Sequence, residues 1–242
     1  MSFLDAIRRF LKPTPQEKAA KLRKRILNMY GHQDDRRYAI DQLAALGPEI
    51  APEPLIERFT VHCDNGTYDA DEKNLVKTYL VNLGQASIEP LKRYLLNNDK
   101  DFNWPYRTLA ELLTHEELVE FIVKLLNTIG PEYVRDPERK EQLMLISKSF
   151  KEESICLAIL PYLGDQNETI RFVTADTVIE QAHPAGIEAL AKRLTEETSQ
   201  RVLTLIATAF RDKEWKVDEA LRSAVSEKLP DGFRINDKGM II

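Results

Sequence analysis

The chain has 242 residues, 43% of them hydrophobic and 30% charged, with 34 Lys and Arg against 39 Asp and Glu for a net charge of −5. Only nine glycines are present. That is well below the usual ~7% and argues against glycine-loop nucleotide sites and most all-β designs. No apolar run nears the ~20 residues a membrane span needs, and the two cysteines, Cys63 and Cys156, cannot build a disulfide framework.

The chain opens on a basic arm. Residues 1–30 carry eight bases and two acids, which leaves 26 bases and 37 acids for residues 31–242. An acidic body disfavours nucleic acid, whose phosphates need a positive surface. Residues 1–12 set Phe3, Leu4, Ile7, Phe10 and Leu11 against Asp5, Arg8, Arg9 and Lys12. The spacing predicts a short amphipathic helix that caps the first repeat; a membrane surface is the other place for it. Asp5, Arg8 and Arg9 interrupt any secretory apolar core, so a cytoplasmic protein is expected.

Next, Thr14-Pro15-Gln16-Glu17 reads as a capping box with proline at the first helical position. From here one design recurs: an amphipathic helix, a short break and a second apolar helix. Leu46-Gly47 leads to Pro54-Leu55 and Arg58, and Leu83-Gly84 leads to Pro90-Leu91-Lys92-Arg93. Second-helix anchors fall at Leu55, Leu91, Phe121, Leu157, Leu190 and Leu221, 30 to 36 residues apart. Such a period suits a two-helix solenoid. Residues 75–83, 118–126 and 202–210 each carry one apolar face at helical spacing. Thr114 and Asp136 read as helix caps. Gly31, Gly47 and Gly84 read as left-handed C-terminal residues, and Pro54 and Pro90 as first-turn prolines. The tail, with Pro230-Asp231-Gly232 and Asn236-Asp237-Lys238-Gly239 around two apolar pieces at 233–235 and 240–242, predicts a small hairpin.

One junction is more specific. Leu163-Gly164-Asp165 followed by Ile170-Arg171, with Ala175 and Val178 beyond, resembles the junction of bacterial HEAT-like repeats of the phycobilisome-lyase type. Arg36 and Asp41 repeat the offset of Arg171 and Asp176. The resemblance covers about residues 35–228; stretches 97–103 and 127–139 depart from it with longer polar junctions. It implies an all-α, right-handed α-α superhelix of about six helical pairs at 32–228. A helical extension at 1–31 precedes it and a short extended cap at 229–242 closes it, all one solenoid domain.

Chemistry is sparse. The four histidines are scattered, and a di-iron hydroxylase on such repeats would need several His-Glu pairs where only His115-Glu116 exists. His62-Cys63-Asp64 with Asp69 and Asp71 is the densest ligand-like cluster, yet no second Cys or His stands at metal spacing. Neither a metal, a cofactor nor a catalytic residue is therefore expected. A DNA-alkylation glycosylase also uses HEAT-like repeats; Trp104, Tyr106, Arg107 and Trp215 offer its aromatics and a base, but Thr108 stands where a carboxylate is wanted.

Basic residues follow the anchors: Arg58, Lys92 with Arg93, Lys124, Lys192 with Arg193, and Arg222. Second helices line the concave side of such a solenoid, so these bases could make a partly basic groove for an acidic peptide. Bases near helix C-termini are also favoured by the helix dipole alone. The expected function is a non-enzymatic protein-binding scaffold that contacts its partner through these bases and through Trp104, Tyr106 and Arg107. A lyase- or glycosylase-like enzyme with a ligand in the groove is the alternative.

Overall fold

A computed structural model describes residues 13–242. The chain divides into two compact units, Met1–Thr114 and His115–Ile242. Among the described residues the only β features are two isolated bridges, and the rest of the regular structure is helical.

The first unit holds α1 (Pro15–Ile26), α2 (Gln33–Ala44), α3 (Pro52–Glu57), α4 (Gly66–Asn82), α5 (Gln85–Asn97) and α6 (Asn103–Ala110). The Thr14 capping box is formed in full, with Glu17 N–H donating to the Thr14 hydroxyl and Thr14 N–H to Glu17. Asn65 caps α4 by accepting from the amides of Thr67 and Tyr68, both at 3.1 Å. Helices α1, α3 and α5 touch in succession, as do α2, α4 and α6. Each helix therefore buries its apolar stripe between two rows. Ile40, Leu43, Leu55, Val76, Leu80, Leu91 and Leu95 are fully shielded.

The second unit repeats this order with α7 (His115–Ile129), α8 (Glu138–Ser147), α9 (Glu153–Ile159), α10 (Glu168–Gln181), α11 (Pro184–Glu196), α12 (Gln200–Asp212) and α13 (Arg222–Ser226). One row runs α7, α9, α11, α13 and the other α8, α10, α12. Ile122, Leu143, Ile159, Ile170, Leu190, Ile206 and Phe210 form its core. The 163–178 junction runs from the 3-10 turn Leu160–Gly164 into α10. Leu163, Asp165, Ile170, Ala175 and Val178 are buried, and Arg171 donates back to the carbonyls of Asp165 and Gln166 at 3.0 and 3.2 Å. Arg36 likewise donates to the carbonyl of Gly31, five residues back.

Several local readings need correction. Leu157 is 45% exposed, because α9 turns Ile155, Cys156 and Ile159 inward and their spacing leaves position 157 on the opposite side. Leu221 sits half-buried in a 3-10 turn, and Val225 supplies the buried anchor instead. Pro90 lies in the sixth position of α5, not its first turn, because the helix starts immediately after Gly84. Gly47 and Gly84 have positive φ of 86° and 60°, whereas Gly31 is not among the positive-φ glycines. The tail does form a hairpin: Arg234 and Ile242 exchange backbone hydrogen bonds at 3.1 and 2.9 Å, and Gly239 turns at φ 79°. The Val217 amide donates to Gly239 O, tying the hairpin to the segment after α12. The amphipathic reading of residues 1–12 falls outside the described residues.

Candidate functional site

Open grooves lie between neighbouring helices of the second-helix row. In the first unit, α3 and α5 flank a groove of about 470 Å³. Ile56, Pro90 and Tyr94 supply its apolar lining, and Glu53, Glu57 and Arg93 its charges. These residues recur at helical spacing on α3 and α5, so one face of each helix builds one wall. Arg93 Nη1 donates to Glu53 Oε1 at 3.0 Å, with both side chains more than 60% exposed. Glu57 is taken by Arg23 of α1. Burial lifts the Tyr94 phenol to about 12, with Asp101 adding to the effect, so the ring stays neutral at any physiological pH.

In the second unit, α11 and the turn before α13 flank two adjoining grooves of about 600 and 540 Å³ that share Glu188, Asp218 and Leu221. Lys192 lines one and Arg222 the other. Acids outnumber bases by one in each, Glu188 and Asp218 against Lys192 in the first and Glu188, Asp218 and Glu219 against Lys216 and Arg222 in the second, as Glu53 and Glu57 do against Arg93 between α3 and α5. None of these three grooves carries the excess of base expected from the sequence.

The predicted binding residues scatter. Arg58 is a correction: its side chain is 0% exposed and presents nothing to a partner. Lys92 lies 3.6 Å from Glu89 on the same helix. Lys124 is exposed on α7. Arg193 Nε donates to Glu197 at 2.8 Å and serves the interior. Arg222 donates to the carbonyl of Val217 at 3.3 Å. Trp104 is half-buried and stacks on Phe59 at 6.3 Å between centroids, with the exposed Arg107 guanidinium 5.2 Å from its centroid. Tyr106 stacks on Phe102 at 5.8 Å, and burial lifts its phenol to about 12. Trp215 meets Phe210 edge-on at 5.5 Å. Of the ten, the structure brings together Trp104 and Arg107, places Arg93 in the α3/α5 groove, and sets Lys192 of α11 and Arg222 in the two adjoining grooves of the second unit.

The sequence reading missed a buried charge network. Arg36 of α2 grips Glu72 of α4 through Nε and Nη2, at 3.0 and 2.9 Å. Arg58 reaches the same carboxylate through Nε and Nη2, at 3.0 and 2.8 Å, and Asp69 at 2.8 Å. Lys73 closes the set on Asp69 at 2.8 Å. Burial raises Asp69, but Lys73 and Arg58 outweigh it and hold its carboxyl below the usual range. The available signal was the 36-residue offset of Arg36 and Glu72, one repeat long. The second unit has relatives of this pairing in Lys140–Asp165 at 2.6 Å and Arg171–Glu197 at 2.9 Å.

Beside the network, His62 Nε2 lies 2.6 Å from Asp101 Oδ1, and Lys73 Nζ 3.4 Å from His62 Nδ1. The Cys63 thiol is pushed up by burial, against the pull of Arg58 and Arg36. A thiol held protonated is a poor nucleophile. Among the described residues, no three His, Cys, Asp or Glu side chains gather as metal ligands, and no helix is long and apolar enough to cross a membrane. No protein-family description, curated protein or solved structure matches this chain.

Proposed function

We propose that the chain is a non-enzymatic interaction module, a right-handed HEAT-like α-α superhelix of about six pairs that holds a protein segment along its second-helix row. The observation that carries this reading is the α3/α5 groove. It is apolar at Ile56, Pro90 and Tyr94 and edged by the solvent-exposed pair Glu53 and Arg93. An inserted side chain would bury apolar area there, and a ligand carrying both signs would find both partners at the rim, which fixes register more than affinity. The charged groups in the interior support the same reading, because those with the shortest contacts are engaged with one another in the fold: Arg36, Arg58 and Glu72, Lys140 and Asp165, Arg171 and Glu197.

The test uses residues whose loss leaves the interior intact. The combined variant Arg93→Glu, Lys124→Glu, Lys192→Glu reverses three exposed bases and spares Arg58 and Arg193, which hold buried carboxylates. Cross-linking and affinity capture from the native host, with quantitative mass spectrometry, should give a protein retained by the unmodified chain and lost by the variant. Equal capture by both chains refutes the reading.

A further inference from the structure

The solvent face of α1 is one-sided in charge. Its opposite face is fixed by Ala19, Leu22 and Ile26, which are buried against α2 and α3. That leaves Lys21, Lys24 and Arg25 exposed on one side of the helix. The neighbouring bases are engaged, Arg23 by Glu57 and Lys18 by Gln42. No carboxylate among the described residues is ion-paired with Lys21, Lys24 or Arg25. The only acid in α1, Glu17, is used by the Thr14 cap. Just past the helix, Met29 and Tyr30 are 40% and 85% exposed. Before it, the sequence places five large apolar residues from Phe3 to Leu11, with Arg8, Arg9 and a single acid, Asp5, among them and Lys12 following.

We propose that the solvent face of α1, with the twelve residues before it, docks this chain on an anionic lipid bilayer. Two signals meet here, and stable attachment to a membrane surface generally takes two. Apolar side chains at 1–12 have the spacing to enter the acyl boundary. The bases of α1 are attracted to anionic headgroups, each contributing roughly fivefold in partitioning. Nucleic acid would use the same charge but gives the apolar residues nothing to bury. The acidic remainder of the chain, 26 bases against 37 acids, repels either polyanion and so confines contact to this arm.

Co-sedimentation of the full chain with phosphatidylcholine vesicles, with and without about 30% phosphatidylglycerol, tests this. Binding is expected to the anionic vesicles alone, and to weaken as salt rises to about 0.5 M. The variant Lys21→Gln, Lys24→Gln, Arg25→Gln changes only exposed positions and should lower the partition coefficient about tenfold or more, with an unchanged thermal melt. The variant Ile7→Glu, Phe10→Glu, in the otherwise full chain, should lower it independently. Three results overturn the proposal: no preference for anionic over neutral vesicles, undiminished binding by the α1 variant, or capture by duplex DNA with none by vesicles.

Discussion

Glu72→Gln should unfold the first unit far more readily than any surface change. The Glu72 side chain is 1% exposed and faces Arg36 and Arg58 guanidiniums that are 5% and 0% exposed. Without its charge, Arg58 keeps Asp69 and the carbonyl of Val61. Arg36 keeps its hydrogen bond to the carbonyl of Gly31. Removing one partner of a buried ion pair costs about 3–5 kcal/mol, because the remaining charge is uncompensated in a poorly polarisable interior. With a urea slope of about 2 kcal/mol/M, the midpoint should fall by about 1.5–2.5 M. Far-UV circular dichroism against urea reads this directly. The control is Glu53→Gln, which breaks the solvent-exposed pair with Arg93 and should move the midpoint by less than about 0.5 M. Arg36→Met should fall between the two, since Glu72 then retains Arg58. The reasoning fails if Glu72→Gln and Glu53→Gln shift the midpoint equally.

Other outcomes follow from single contacts. Burial raises Glu197, but Arg171, the Ser199 amide, Arg193 and the Thr198 amide outweigh it and hold it at about 2. Its contribution is therefore full above the ordinary carboxylate range near 4.5 and fades as pH falls toward 2; Glu197→Gln should flatten that part of an acid-unfolding curve. A Cβ at Gly186 would lie 2.7 Å from Val178 Cγ1; Gly186→Ala should cost about 1–3 kcal/mol in urea unfolding, partly recovered by adding Val178→Ala. Gly239 has φ +79° and faces the Arg222 guanidinium, so Gly239→Ala should loosen the hairpin and speed hydrogen exchange at the Ile242 amide. Burial pushes both thiols up, so Cys63 and Cys156 should react slowly with a disulfide reagent near neutral pH and promptly in urea.

The helices were legible because their signals are local. The apolar stripe at 118–126 lies within one helix, and Leu118, Phe121, Ile122, Leu125 and Leu126 are all buried there. The Thr14 box and the tail's turn residues act over three or four positions, and both formed. Errors arose where a neighbour sets the register. Leu157 satisfies the repeat spacing, but the packing of α9 selects Ile155, Cys156 and Ile159 for the interior. Sequence also gave no means of seeing that two successive second helices would leave a groove between Ile56 and Tyr94, since a void depends on side chains 38 positions apart.

Arg58 and Arg93 make the division plain. Both closely follow a buried leucine anchor, Arg58 three residues after Leu55 and Arg93 two after Leu91, and the stripe of bases after the anchors includes both. Composition and periodicity by themselves determined that the chain is helical and that each helix hides one face. Only the tertiary structure decided that Arg58 turns inward, where Asp69 and Glu72 of α4 neutralise it, while Arg93 meets Glu53 in solvent. A buried base survives only beside its acid, and that acid comes from another helix whose placement no local pattern records.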